Sequence, residues 1–397
     1  IDITNYARSH AGALQLRLRS SNPIKTGDGR KGFHMCRQWE GCANENHDYA
    51  YGTEGKATVR GWDPYPVPCG PCRLVMTPAP IQLRPPRGVP LVTAFHDMAP
   101  LVRADHPPDD DADEFMRRLR CVERHADAVI CSSDAAHREL VAHFPALADR
   151  CTVIHLPVSL FPEELAFASD PTVERAVLAR YGVESGGYFM YVGVIERKKN
   201  ITRLVDAYLA VRDTLGLPLL MAGWLGFGSE DIRPALANPA SGIRPLGYIS
   251  QIDKLVLLRH ARALLFPSLY EGFGLPPLEA MALGCPVLAS NINAVAEACD
   301  DAALLVDARS VKQLADGLLR IATDEPLRAL LIDRGLRRAG DLSLDRYRGQ
   351  LAACLGQFAG LPQLSPAGAA LAPTVDLARA AAFDDAVVAR IAPAHEP

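Results

Sequence analysis

The chain has 397 residues, more than one hydrophobic core usually supports, and its 49% hydrophobic and 22% charged content is ordinary for globular proteins, so two domains are expected. Lys and Arg number 42 against 46 Asp and Glu, and the resulting net charge of -4 removes the electrostatic case for nucleic acid and favours small or neutral ligands. No apolar run approaches the roughly 18 residues of a membrane span and the first twenty residues lack a basic-then-apolar secretory pattern, so a soluble, cytoplasmic protein is expected.

The first 85 residues fit no period. IDIT could be a first strand and TGDGR, at 26–30, a glycine loop after it, but the stretch that follows has neither helical nor strand spacing. It carries Cys36, Cys42, Cys69 and Cys72, the last two within CGPC, which resembles a thioredoxin redox site. Such a site needs a preceding core strand and a helix N-terminus to lower the thiol pKa, whereas YPVP precedes this one. The Cys36–Cys42 spacing is too wide for the usual close zinc pair, so inert thiols are expected. Cys121, Cys131, Cys151, Cys285 and Cys354 fall in apolar patterns and read as small core residues.

From Pro90 the chain alternates: PLVTAF, the amphipathic FMRRLRCVERHA, ADAVICSS, DAAHRELVAHF and CTVIHLPV. Strand and helix in turn predict a parallel sheet with crossovers. After a helix-like PTVERAVLARYG a second set begins: YFMYVGVI, ITRLVDAYLAV, LPLLMAG, a glycine-rich loop, IRPLGYI, SQIDKLVLLRHA, RALLFPS, CPVLASN and ALLVD. That pattern predicts a second doubly wound domain. Ser250 and Ser310 are expected helix N-caps. The domain boundary is placed at 165–185, giving domains over 1–175 and 176–345. LDRYRGQLAACLGQFAG then forms a closing helix within 346–397, followed by a Pro and Ala linker and a weak final helix.

Within the second set, YEGFGLPPLEAMALGCPV places Glu271 and Glu279 on either side of a Gly-Phe-Gly turn and a Pro-Pro pair. Gly272 and Gly274 permit positive φ, and Pro276 or Pro277 suits a helix start, so Glu271 closes a strand-to-helix loop and Glu279 sits in the helix's first turn. Exposed amides at such a terminus favour an anion or a hydroxyl-rich ligand. The plainer alternative is that Glu279 complements the helix dipole.

Three pieces in order, YVGVIERKKNITRLVDAY, GYIS and FPSLYEGFGLPPLEAMALGCPVLASN, resemble the family 4 retaining glycosyltransferases, whose signature is two glutamates with seven residues between them. VTAFHDMAP, ADAVICSSDAA and, more faintly, TGDGR extend the resemblance into the first half. It implies the α/β GT-B fold, two Rossmann-like domains facing across a cleft, with a nucleotide-sugar donor held by the second and a saccharide or lipid-linked acceptor mainly by the first. The resemblance casts Glu279 as acceptor of the ribose hydroxyls and Glu271 as the group facing the transferred sugar, where it favours positive charge at the anomeric carbon. Amides of Phe273, Gly274 and Leu275 would fix the sugar and phosphate, and Lys199 would stabilise the leaving diphosphate. Gly193 and Tyr248 join the expected donor contacts. Val194 stands where many relatives carry arginine, so Lys198 or Arg197 is expected to share the phosphate charge. His96 is expected as a sugar and phosphate contact, with Asp97 outside direct catalysis.

No aspartate cluster with metal-ligand spacing lies in the second half, and DDDAD at 109–113 reads as the acidic start of a basic helix, so no metal is expected. The expected reaction is transfer of a hexose, mannose from GDP-mannose first and a UDP-sugar next, in polysaccharide or glycoconjugate biosynthesis. The alternatives are a non-catalytic nucleotide-sugar-binding subunit and a cysteine-based zinc or redox protein. The stripe Phe115, Met116, Leu119 and Val122 opposite Arg117, Arg118, Arg120 and Arg124 is compatible with peripheral contact at an anionic membrane, or with a core-packed helix that has a solvated basic face.

Overall fold

The computed structural model describes residues 74–85, 87–102, 112–158 and 160–359, together with the backbone of three short strands nearer the N-terminus. Those strands are β1 (Pro23–Lys25), β2 (Lys31–Phe33) and β3 (Tyr65–Pro66). TGDGR itself lies outside the described residues, and β1 and β2 on either side of it pair antiparallel. IDIT, the CGPC thiols and the tail beyond residue 359 also lie outside them.

The first unit is built on a parallel sheet of β4 (Val75–Thr77), β6 (Leu91–Phe95), β7 (Ala128–Cys131) and β8 (Cys151–Val153), in the order β4-β6-β7-β8. A further strand, β5 (Leu83–Arg84), pairs with β3. The sheet therefore starts at Val75, inside the stretch that shows no sequence period: three residues with both faces covered leave no alternation to read. The helix Ala112–His125 lays Leu119 and Val122 into the core, with Phe115 and Met116 partly buried beside them. Its apolar stripe thus packs against the core of the first unit, while Arg117 and Arg118 pair with Glu114 at 3.1 Å. Asp113 and Glu114 occupy its first turn, as expected of an acidic start.

The chain divides between His155 and Leu156, ahead of the 165–185 window, and from Tyr347 it returns to the first unit. The helices Pro162–Ala168 and Pro171–Tyr181 explain the earlier division. They are bonded to the second unit: Arg180 and the Tyr181 hydroxyl meet Asp253 at 2.9 and 2.8 Å, and Arg259 reaches Glu174 at 3.1 Å.

That unit carries six parallel strands: β9 (Phe189–Val192), β10 (Leu219–Ala222), β11 (Ile243–Gly247), β12 (Ala263–Phe266), β13 (Val287–Ser290) and β14 (Leu304–Val306). Their order, β11-β10-β9-β12-β13-β14, is that of a doubly wound dinucleotide-binding fold. Alternate residues feed two cores. Met190, Leu220, Leu264 and Ala289 face one side, and Phe189, Tyr191, Leu219 and Leu265 face the other. Ser250 and Ser310 cap their helices as expected, accepting from the amides of Asp253 and Gln313. The helix Glu325–Asp341 was not singled out in the sequence, because Gly335 and Ala339 stand among its few buried positions and give a faint stripe.

Candidate active site

In a doubly wound sheet, ligands bind beyond the carboxyl ends of the strands where the order reverses. Here β9 and β12 are neighbours in space but three strands apart in sequence, so the reversal lies between them. The loop after β9 ends in a 3-10 turn, Arg197–Lys199, and the loop after β12 carries Glu271. Lys199 Nζ donates to Glu271 Oε1 at 2.6 Å, with both side chains mostly buried. The ammonium also lies 5.8 Å from the centre of the Phe266 ring. Two residues 72 positions apart thus form one charged pair at the reversal point.

The helix Leu275–Ala282 begins directly behind Glu271. Gly274 is its N-cap at φ 122°, a conformation that favours glycine, and no side chain caps the helix. Gly272, in contrast, takes no positive φ. Because the helix starts at Leu275, Glu279 is its fifth residue, at the start of the second turn and not in the first as expected, and the first turn holds no acid. That position weakens the dipole explanation, whose effect fades within the first turn. Glu279 instead accepts from Lys254 Nζ at 2.9 Å. Lys254, on the helix Gln251–His260, was missed in the sequence: a lysine on a helix carries no signal until its partner across 25 residues is known.

Phe273 is buried, whereas Leu275 and Tyr248 are exposed. Tyr248, just beyond β11, stacks on exposed Trp224, just beyond β10, with ring centres 5.9 Å apart and planes 22° from parallel. Gly193 follows β9 at φ 145°. The next strand's loop approaches so closely that a Cβ on Gly223 would stand 1.8 Å from the Gly193 carbonyl oxygen. Lys198 pairs with Glu196 at 3.4 Å, and Arg197 lies over the Phe227 ring at 5.7 Å. Both expected substitutes for the missing arginine therefore sit in the same turn as Lys199. Tyr191 lies beneath the turn, and burial, then Glu271 and Glu196, hold its hydroxyl well above the usual tyrosine range.

His96 belongs to the first unit. It stands at the carboxyl end of β6, where its Nε2 lies 2.9 Å from the Pro78 carbonyl oxygen and its own carbonyl accepts from Ser132. Asp97 caps the short helix Ala99–Val102 by accepting from the Ala99 amide at 2.9 Å. Cys121, Cys131, Cys285, Cys299 and Cys354 are buried and Cys151 is half-buried, all as free thiols. Burial pushes the Cys285 and Cys299 thiols up to about 12, which agrees with core roles.

Residues 181–338 match the family model of group 1 glycosyl transferases, and residues 72–160 match that of glycosyltransferase family 4. The chain is 32% identical over 269 residues to O-antigen chain mannosyltransferase B of Escherichia coli, covering 65% of this chain and 68% of that one. It is 29% identical over 244 residues to the serotype-specific mannosyltransferase WbdA of Escherichia coli, a stretch that is 59% of this chain and 29% of that longer protein. Among solved structures, Anabaena HepE in complex with UDP-glucose superposes with a TM-score of 0.59 at 18% identity, over 72% of this chain and 79% of that one, a likeness of fold. Two parallel Rossmann-like sheets, a charged pair at the reversal point of the second and these matches lead to one conclusion: the chain belongs to the family 4 glycosyltransferases of the GT-B fold, hexosyltransferases that use nucleotide-sugar donors.

Proposed function

We propose that the carboxyl edge of the second unit holds GDP-mannose and that the protein transfers mannose, with retention, to a saccharide or lipid-linked acceptor of a polysaccharide or glycoconjugate. The observation that carries the donor site is the Lys199–Glu271 pair at the reversal point. The likeness to two mannosyltransferases supports the choice of sugar. Lys199, with Lys198 beside it, meets the diphosphate, and the uncapped amides of Gly274 and Leu275 meet the sugar and phosphate. Glu279 accepts from the ribose hydroxyls, and Tyr248 and Gly193 line the donor. His96 is kept as a proposed sugar and phosphate contact.

In the transfer, the bond between the anomeric carbon and the phosphate oxygen breaks, and the nucleoside diphosphate leaves with the electron pair. The acceptor oxygen bonds to the same face of that carbon, and its proton passes to a phosphate oxygen of the leaving group. Glu271 favours the positive charge that develops at the carbon, and Lys199 favours the negative charge that develops on the diphosphate. No metal is required, because the lysines and the helix N-terminus supply the positive charge. Turnover with GDP-mannose, UDP-glucose and ADP-glucose, each with and without saccharide acceptors, tests this reading. Release of GDP should dominate. Preferential release of UDP would replace the donor, and nucleotide binding without turnover of any donor would favour the non-catalytic subunit.

A further inference from the structure

Asn200 follows Lys199 directly and is 3% exposed. It adopts φ 60°, a left-handed conformation that among side-chain-bearing residues asparagine tolerates best. Its amide nitrogen donates to the Pro267 carbonyl oxygen at 3.1 Å and to the Ala308 carbonyl oxygen at 2.6 Å. Its side-chain oxygen accepts from Arg203 at 3.0 Å, so the amide is engaged at both ends. Pro267 follows β12 and begins the loop to Glu271, while Ala308 follows β14. One side chain therefore ties the ends of β9, β12 and β14 together. A single backbone bond reinforces the first tie, from the Leu269 amide to the Lys198 carbonyl at 2.9 Å.

We infer that Asn200 is a positioning residue for transfer: it sets the spacing of the Lys199 ammonium and the Glu271 carboxylate by holding their two loops in one register. Lys199 and Glu271 stand on loops of neighbouring strands, and without the Asn200 amide only the Leu269–Lys198 backbone bond and their own ion pair join the two loops. Errors of about 1 Å in the placement of reacting groups can cost about 10²-fold in rate. Asn200 itself touches no substrate. Its side chain is spent on two carbonyls and an arginine, and their loss would leave buried acceptors unpaired.

Because Asn200 acts through Lys199, its effect depends on the donor-site reading above, and a double-mutant cycle separates the two. Asn200→Gly keeps the left-handed backbone and removes both ties, and Lys199→Ala removes the ammonium. Asn200→Asp, which keeps the shape but turns a carboxylate oxygen towards the two carbonyls, serves if the glycine variant does not fold. Melting is followed alongside, and kinetics are measured below the lowest transition. The expected result is that Asn200→Gly lowers kcat by about 10-fold or more with a smaller change in KM, and lowers it by less than about 3-fold further in the Lys199→Ala background. Equal losses of kcat from Asn200→Gly in both backgrounds, or no loss in the parent, would overturn the positioning role while the donor site stands. If Lys199→Ala alone leaves kcat and KM unchanged, the donor-site reading itself fails, and the positioning role with it.

Discussion

Replacing Glu279 with alanine separates a ribose contact from a purely structural ion pair. One carboxylate oxygen, Oε2, is engaged by Lys254 at 2.9 Å, and Oε1 takes no other hydrogen bond among the described residues. The carboxylate can therefore keep its lysine and still receive a ribose hydroxyl. Hydrogen bonds to a charged group contribute about 1.5–3 kcal/mol, and each 1.4 kcal/mol is tenfold, so free GDP should bind Glu279→Ala about 10- to 150-fold more weakly. The lysine left behind is 17% exposed, so a stability loss of about 1–3 kcal/mol should accompany the change. Calorimetric titration with GDP at a temperature where the variant is folded measures the first, and thermal unfolding measures the second. Lys254→Met removes the same ion pair but spares the carboxylate, and should lose stability while retaining more of the affinity. If folded Glu279→Ala binds GDP as tightly as the parent, the ribose assignment is wrong and the glutamate serves only Lys254.

Glu271→Ala should keep GDP affinity near that of the parent while kcat falls by about 10² or more, whereas Lys199→Ala should lose both, since the diphosphate is charged before and during transfer; calorimetry with steady-state kinetics distinguishes them. Chelation with EDTA should leave turnover intact, and an activity recovered only with added Mg²⁺ or Mn²⁺ would refute the metal-free donor geometry. The Cys285 and Cys299 thiols, pushed up to about 12 by burial, should resist alkylation at pH 8 in the native state and react once the chain is unfolded; mass spectrometry of the labelled peptides reads this, and native labelling at either position would contradict their core placement.

The sequence by itself determined the alternation of strand and helix from Pro90, the two caps at Ser250 and Ser310, and the loop that presents Glu271. These are local properties, set by periodicity, capping chemistry and glycine or proline punctuation within a few residues. The family signature also brought Lys199, Glu271 and Glu279 forward together as candidates. The tertiary structure decided which groups meet. Sheet order puts β9 between β10 and β12, which pair the backbone groups along its two edges, and that order joins Lys199 to Glu271. It also gave Glu279 a lysine partner, put it just past the first turn of its helix, and let Asn200 bridge to carbonyls 67 and 108 residues away. The strand Val75–Thr77 and the assignment of Pro162–Tyr181 to the second unit likewise depend on partners distant in the chain, such as Leu91 for Val75 and Asp253 for Arg180. Such hydrogen bonds and burials exist only once the chain has closed on itself, which is why no window of sequence contains them.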